Sequence, residues 1–371
     1  MTLQVNHTNA TQIVNETGTP WITDSELAKL TTTMGRLLSY AKIPLTFITI
    51  ITILGNTFVL VATYRERSLH QPNKYFIACL AVADLLVGSL LVPLKLYKLD
   101  MDNSQRTMSV DYLCRFMIWL DTFALATSIY ILTMISFDRY LKISKPLQYK
   151  SRMTTSRTRK IIIIILFIST SLAIYSATPN SGSLGILKTG GGRCPIHTDE
   201  NKVKPFYAFI MISTFFLPVT VILVMYFLIF LVAHKRQKMI LNGSLGQTFI
   251  VQSQRRALRR DMKVIRMLLV VVGVFIFSWG PWFCWSFLRF YYPKVVEDMN
   301  TNSLGYSRYR VNIIEFAAAT LPLFNSMCNP IIYACLDQTY REAFKNLFRR
   351  MTSRTDSRRQ QPSIESRSRR T

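Results

Sequence analysis

The sequence predicts an all-α membrane protein: a seven-transmembrane helix bundle followed by a short amphipathic helix. Half of the 371 residues are hydrophobic and the mean hydropathy is +0.22, which is high for a soluble domain. Lys and Arg number 45 against 20 Asp and Glu, a net charge of +25, and they lie between the apolar runs. Because apolar and basic residues occupy different segments, the pattern excludes a nucleic-acid-binding globule, a disordered tail protein and a compact soluble enzyme.

Seven apolar stretches are long enough to cross a bilayer core of about 30 Å, which needs roughly 20 helical residues. These spans one to seven cover about 37–63, 73–97, 111–144, 160–179, 206–234, 264–292 and 311–334. Buried helices of a large soluble protein are the alternative, but seven such stretches without strands favour a membrane. The predicted parts are an extracellular segment (1–36), the bundle (37–334), the amphipathic helix eight (335–349) and a disordered basic tail (350–371).

Lys and Arg predict which side of the membrane each end of the chain faces. The loops after spans three and five and the tail are strongly basic, whereas residues 1–36 hold only Lys29 and Arg36. Basic loops stay in the cytoplasm, so the sequence predicts an extracellular N-terminus and a cytoplasmic C-terminus. Three glycosylation sequons, at Asn6, Asn9 and Asn15, fall on the predicted extracellular side.

The six cysteines do not indicate a disulfide scaffold. Four of them fall inside spans and are interpreted as small packing residues: Cys79, Cys284, Cys328 and Cys335. Cys114 at the outer start of span three and Cys194 in the loop before span five are the two in the oxidising compartment. We therefore predict a disulfide between them.

Ionisable residues at membrane depth are candidates for function, because a charge there is costly. Asp84 lies in span two, Asp121 lies near the outer end of span three, and Asp138-Arg139-Tyr140 ends that span. Asp84 either forms hydrogen bonds that connect neighbouring helices or belongs to a cation site. The candidate ligands of such a site are oxygen-bearing side chains: Asp84, Ser128, Asn325 and Asn329. Asp121 is either an aspartate that meets interfacial water or a binding group, and the Asp-Arg-Tyr run could be a plain juxtamembrane charge pair.

Over about 37–349 the chain resembles a rhodopsin-like (class A) G-protein-coupled receptor. The resemblance depends on motifs that occur in order, each in the expected span. They are Gly55-Asn56, LAVAD with Asp84, Cys114, Asp138-Arg139-Tyr140, Pro218 with Tyr226, FIFSWGP with Phe275, Trp279 and Pro281, NPIIY from Asn329 to Tyr333, and Phe344 with Phe348 after span seven. One motif alone is weak evidence, but the ordered set is specific.

The resemblance implies a signalling mechanism at the cytoplasmic end. Arg139 would pair in the resting state with Asp138 and with Asp261 at the foot of span six. Asp261 is one methylene shorter than the family's usual Glu, which predicts a weaker contact with Arg139 in the resting state and higher basal activity. Residues implied in activation and in coupling to a heterotrimeric G protein are Ile129, Pro218 and Phe275, and Asp138, Arg139, Tyr140, Pro146, Leu147, Tyr226, Asp261 and Tyr333.

The resemblance is greatest to biogenic-amine receptors, in which an aspartate at the position of Asp121 pairs with a protonated amine. It implies a small cationic extracellular ligand held by Asp121, Leu125, Thr214, Trp279, Trp282, Phe283 and Glu315. Two amine-receptor positions differ, with Leu323 in place of the usual Tyr and Thr320 in place of the usual Trp. A peptide or another cationic ligand is the alternative.

Other function classes fit the sequence less well. A retinal-binding sensor needs a lysine in span seven, and residues 311–334 contain none. Neither paired broken helices nor rings of pore charges indicate a transporter or channel, and no Ser/His/Asp set indicates an enzyme. We expect no nucleic acid and no resident cofactor, with an allosteric sodium ion at Asp84 as the alternative. Serines among the tail arginines predict a receptor kinase and arrestin as further partners, beside membrane lipid.

Overall fold

The computed structural model describes residues 24–66, 69, 71–100, 108–179, 181–183, 200–242, 248–296 and 306–359. The predicted glycosylation sites Asn6, Asn9 and Asn15 lie outside these ranges. Cys194 and the tail from residue 360 also lie outside them.

Each predicted span corresponds to helical structure. Span one is α1 (Asp24–Arg65), span two is α2 (Pro72–Leu86) and α3 (Val92–Asp100), span three is α4 (Met108–Ser144), and α5 (Pro146–Arg152) follows it. Span four is α6 (Thr155–Ala177), and span five is α7 (Glu200–Met211) and α8 (Leu217–Asn242). Span six is α9 (Thr248–Tyr291), span seven is α10 (Tyr306–Leu336), and α11 (Gln338–Arg359) comes last.

Six of these spans are long and apolar enough to cross a membrane, counted over the residues that the structure describes. Span seven is not among them, because asparagine and proline lower its hydropathy (Pro322, Asn325, Asn329 and Pro330). Its helix nevertheless packs against spans six and one within the same bundle. The predicted all-α seven-helix membrane fold is therefore confirmed, and the chain is a multi-pass membrane protein.

Span three is the central helix of the bundle. It packs against spans two, four and five, and 78% of its most apolar stretch is buried, against 22% for span four. Large apolar side chains on the outside of the bundle, such as Phe167 and Phe277, are exposed as expected for a lipid-facing surface. The polar residues of span three are therefore directed into the bundle.

Two spans contain one turn of π-helix next to a proline. In span two the π segment is Val87–Leu91, two residues before Pro93, and in span five it is Ile212–Phe216, two residues before Pro218. A proline ring clashes with the carbonyl four residues earlier, and a wider turn relieves that clash. The extra residue rotates everything after it by about 100° around the helix axis, which changes the face of span two that meets span three.

The helices extend beyond the predicted spans on the side of the bundle that the sequence predicts to be cytoplasmic. The region between spans five and six was predicted as a basic loop, but α8 continues to Asn242 and α9 begins at Thr248. The final helix begins at Gln338 and ends at Arg359, beyond the boundary predicted at residue 349. Asp337 caps this helix, since its Oδ1 accepts hydrogen bonds from the backbone N–H groups of Thr339 and Tyr340 at 2.9 and 3.3 Å.

Candidate functional site

A small cavity lies inside the bundle between spans two, three, six and seven. Asp121 and Ser128 of span three face it, as expected for two residues about two turns apart on one helix face. Trp279 of span six and Leu323 of span seven lie on other walls. The remaining lining residues are mostly apolar: Val87, Leu91, Ala124, Pro322, Asn325 and Ser326.

The carboxylate of Asp121 already has a cation partner inside the protein. Nζ of Lys95 lies 3.2 Å from its Oδ1 and 3.5 Å from its Oδ2, and the two side chains are 0% and 3% exposed. Lys95 belongs to α3, just after the π segment and Pro93. The turn of π-helix thus sets which face of span two meets Asp121.

A second small cavity, called here the outer cavity, lies between spans five, six and seven. Arg289 of span six and Glu315 of span seven both line it and form an ion pair, with Nη1 and Oε1 2.7 Å apart. These side chains are 31% and 20% exposed, so this pair is accessible to solvent. Its other walls are largely aromatic: Tyr207, Trp282, Trp285, Ser286 and Phe290.

The predicted ligand-binding residues divide between these cavities. Asp121 and Trp279 line the inner one, whereas Trp282 and Glu315 line the outer one. Within the described part of the chain, neither cavity is lined by the three remaining predicted residues, Leu125, Thr214 and Phe283.

Phe283 and Thr214 instead belong to the packing of spans five and six. The ring of Phe283 lies 4.6 Å from that of Phe215 and 6.1 Å from that of Trp279, and Phe275 lies 6.3 Å below Trp279. The hydroxyl of Thr214 donates to the carbonyl of Ile210 at 2.7 Å.

The predicted cation site at Asp84 is a buried cluster of oxygen-bearing side chains. Nδ2 of Asn329 donates to Oδ2 of Asp84 at 2.8 Å. Among the described residues, none donates a hydrogen bond to the buried Oδ1 atoms of Asp84, Asn325 and Asn329. Ser128 and Asn325 also line the inner cavity. Buried acceptors that lack donors are the electrostatic environment that a hard cation requires.

At the end of span three that is predicted to be cytoplasmic, Asp138 is held by two partners. Nη2 of Arg139 lies 3.3 Å from its Oδ2, and the hydroxyl of Tyr149 on α5 donates to its Oδ1 at 2.9 Å. Asp261, the other residue predicted to pair with Arg139, lies in α9, but its side chain is outside the described part of the structure. Burial and the neighbouring carboxylate raise the pKa of Tyr149 above its ordinary value, so the phenol stays protonated.

Other residues predicted to take part in coupling and activation occupy two environments. Leu147 is 96% exposed on α5, beside the exposed Pro146, whereas Tyr140 is partly buried. The buried ones are Tyr226, Tyr333, Ile129, Pro218 and Phe275. Tyr226 accepts a hydrogen bond from Ser136 at 3.5 Å, while the buried hydroxyl of Tyr333 has no hydrogen-bond partner in the part of the chain that the structure describes.

A second lysine of span two forms a buried ion pair at the other end of the span, which is predicted to be cytoplasmic. Nζ of Lys74 pairs with Oδ2 of Asp337 and lies 4.5 Å from the centroid of the Tyr340 ring. Tyr340 also shares a 2.9 Å hydrogen bond with Thr63 and stacks on Tyr333. Burial raises the pKa of Tyr340 above its ordinary value. These contacts join spans one, two and seven to α11.

Cys114 is disulfide-bonded, and Cys79, Cys284, Cys328 and Cys335 are free. Because Cys194 is outside the described residues, its pairing with Cys114 stays a prediction. The four free cysteines lie in the spans where the sequence placed them.

Lys95 and Arg289 are the site residues that the sequence interpretation missed. A signal for Lys95 existed, because it is an ionisable residue inside the apolar stretch 73–97. Arg289 lies at the outer end of span six, where a basic residue is ordinary, so only the three-dimensional contact with Glu315 distinguishes it.

The chain belongs to the rhodopsin family of seven-transmembrane receptors. The model of the family described as "7 transmembrane receptor (rhodopsin family)" matches residues 55–333. Trace amine-associated receptor 5 of Mus musculus is 30% identical over 81% of this chain and 82% of its own length. The histamine H2 receptor is 30% identical in Rattus norvegicus, over 83% and 78% of the two chains, and 28% identical in Homo sapiens, over 90% and 84%. The predicted membership in this receptor class is confirmed, and the protein is a receptor rather than an enzyme.

Proposed function

We propose that the protein is a plasma-membrane receptor that binds a small amine from outside the cell and activates a heterotrimeric G protein. The observation that carries this proposal is a buried carboxylate, that of Asp121, on the wall of an internal cavity that aromatic Trp279 also lines. A protonated amine satisfies such a carboxylate, and an aromatic ring stabilises its charge. The similarity to receptors named for trace amines and histamine supports the same class of ligand.

The proposed ligand site is the inner cavity, with Asp121 and Trp279 as its main contacts. An amine that reaches Asp121 meets a carboxylate that Lys95 already contacts at 3.2 Å, so binding requires the lysine to move. Leu125, Thr214 and Phe283 support the pocket through packing rather than as cavity walls. Glu315, with Trp282, belongs to the outer cavity on the entrance side.

The proposed signalling surface is the cytoplasmic end of spans three, five, six and seven. Arg139, held against Asp138, becomes available to a G protein when span six moves away. Exposed Leu147 and Pro146 on α5 offer an apolar contact beside it. We place the C-terminus in the cytoplasm, where basic residues are concentrated, and a receptor kinase, arrestin and membrane lipid are proposed as partners of the tail.

A sodium ion at Asp84 would act between these two regions. The buried oxygens of Asp84, Asn325 and Asn329, with the hydroxyl of Ser128, are the ligands it would use. The ion would supply positive charge to a buried carboxylate and favour the resting arrangement of spans two, three and seven.

The test is a second-messenger assay on cells that express the receptor, with a panel of biogenic amines. We expect a saturable response to at least one amine, and loss of it in Asp121→Asn at equal surface expression. Glu342→Gln removes an exposed carboxylate on α11 and serves as the matched control. A response that survives in Asp121→Asn would contradict the proposed amine site.

A peptide ligand is the second candidate. It is favoured by the outer cavity, whose aromatic walls and Arg289–Glu315 pair give a peptide both apolar and charged contacts. A peptide that activates the receptor and loses potency in Glu315→Gln, but not in Asp121→Asn, would support this candidate instead.

A further inference from the structure

Lys95 is an unusual neighbour for an amine-binding carboxylate. Its side chain is 0% exposed and its ammonium contacts both oxygens of Asp121, at 3.2 and 3.5 Å. A buried ammonium is tolerated only when an anion or several acceptors compensate for the water it has lost. Any ligand that takes over Asp121 therefore also determines what happens to Lys95.

Within the described part of the structure Asp121 lines the inner cavity and Lys95 does not, so a ligand would reach the pair through Asp121. Asp121 faces the inner cavity, and so does Leu91, which lies one turn before Lys95 on the same side of span two. The distances of 3.2 and 3.5 Å exceed the roughly 2.7–2.9 Å of a tight charge-assisted hydrogen bond. The geometry is thus that of a loose ion pair beside a cavity.

Charge balance distinguishes the ligands that this pair can accept. A simple monoamine that binds Asp121 brings a further positive charge into a buried region and offers no contact to the lysine. A ligand that carries an ammonium and a carboxylate on the same carbon adds no net charge. Its ammonium contacts Asp121 while its carboxylate contacts Lys95, so both buried charges stay paired.

We infer that the inner cavity recognises a zwitterion, an α-amino acid or a close relative, with Asp121 binding the ammonium and Lys95 binding the acid group. This inference rests on the proposed function, since it uses Asp121 as the amine site, and it adds Lys95 as the residue that determines ligand class. The Arg289–Glu315 pair carries no such requirement, because its side chains are 31% and 20% exposed and water can solvate either charge.

The test compares each amine with the amino acid that bears the same side group. Tyramine with tyrosine, tryptamine with tryptophan, and histamine with histidine are the probes, in the same second-messenger assay. In the wild-type receptor we expect at least one amino acid to act at a concentration about tenfold or more below that of its amine. A charge-assisted hydrogen bond in a buried site is of that size.

Two variants of Lys95 identify its role. Lys95→Met should abolish or reverse the preference for the amino acid, whereas Lys95→Arg, which keeps the charge, should retain it. Lys204→Met removes an exposed lysine of α7 and should change nothing. If Lys95→Met fails to reach the cell surface, the wild-type comparison and Lys95→Arg still decide the question.

The outcomes separate this inference from the proposed function. If amines act as well as or better than amino acids, with the response lost in Asp121→Asn, the zwitterion is wrong and the amine receptor stands. If the amino acid preference is unchanged in Lys95→Met, the role of Lys95 is wrong. Silence to both members of every pair in a receptor at the cell surface overturns both.

Discussion

Span two carries two buried lysines, one at each end, and they form ion pairs with different surroundings. At one end of the span Lys74 pairs with Asp337, lies over the ring of Tyr340 and is joined to the cap of α11. In the other half of the span Lys95 pairs with Asp121, which lines a cavity. The first pair is enclosed by further protein contacts, whereas the carboxylate of the second pair borders a cavity.

The difference shows how the same interaction can serve two purposes. A buried pair surrounded by an aromatic ring and a helix cap has no other partner to take, so it joins the spans it connects. A buried pair beside a cavity can exchange one internal partner for a ligand of matching charge. We therefore interpret Lys74–Asp337 as a structural contact and Lys95–Asp121 as part of the binding site.

The largest effect is expected from separating Lys95 and Asp121. Lys95→Met leaves a buried carboxylate without its cation, which should lower the free energy of unfolding by about 3–5 kcal/mol. The double variant Lys95→Met/Asp121→Asn should recover most of that loss, because no buried charge is left alone. Thermal unfolding of the purified receptor in detergent measures both, with Lys204→Met as the exposed control. A double variant no more stable than Lys95→Met would show that the pair is not coupled.

The sequence alone could predict most of the fold, but less of the candidate site. Apolar length determines the spans and basic loops suggest the orientation, because each is a property of one segment. The contacts of Asp138 with Arg139 were also predictable, since the residues are adjacent. The Lys95–Asp121 pair joins residues 26 positions apart across two helices. The π segment before Pro93 rotates the part of span two that carries Lys95. The hydrophobic pattern of the sequence does not show that rotation, so the pair could not be predicted from it.

A smaller effect is expected from the Lys74–Asp337 pair. Asp337→Asn removes the charge but keeps a capping side chain, and Lys74 still has the Tyr340 ring as a partner. We expect a loss of about 2 kcal/mol in the free energy of unfolding, and about 1 kcal/mol more for Asp337→Ala, which also removes the cap. Thermal unfolding in detergent again provides the measurement.

The two ion pairs should also differ in their effect on the potency of a ligand. A ligand that activates the wild-type receptor should do so with unchanged potency in Asp337→Asn, because this pair does not line the cavity. A large shift in potency there would contradict the division into a structural pair and a binding pair.

Removing the hydrogen bond that Tyr149 donates to Asp138 should have a still smaller effect on the free energy of unfolding. Tyr149→Phe removes the 2.9 Å donor to Asp138, which we expect to cost about 1 kcal/mol and to raise basal signalling about fivefold. Nucleotide exchange on added G protein in membranes measures this, with exposed Tyr40→Phe as the control. Unchanged basal exchange would show that Tyr149 does not restrain Asp138.

The pH dependence of that contact follows from the raised pKa of Tyr149. A group whose folded pKa is raised contributes fully below its unfolded pKa, about 10 for tyrosine, and loses its contribution as pH rises through the folded value. The ratio of variant to wild-type basal exchange should therefore be the same at pH 6.5 and at pH 8.5. A ratio that falls towards one at pH 8.5 would mean that the phenol has ionised.

The smallest effect on stability is expected from the partly exposed pair of the outer cavity. Arg289 and Glu315 are 31% and 20% exposed, so water replaces whichever partner is lost, and Arg289→Met should change the free energy of unfolding by no more than about 1 kcal/mol. Adding salt should weaken the pair in the wild-type protein and leave Lys95–Asp121 nearly unaffected. Thermal unfolding of the wild type, Arg289→Met and Lys95→Met at low and high salt measures both claims. A loss in Arg289→Met as large as that in Lys95→Met would mean that burial does not distinguish the pairs, and the reason for assigning ligand exchange to Lys95 alone would be lost.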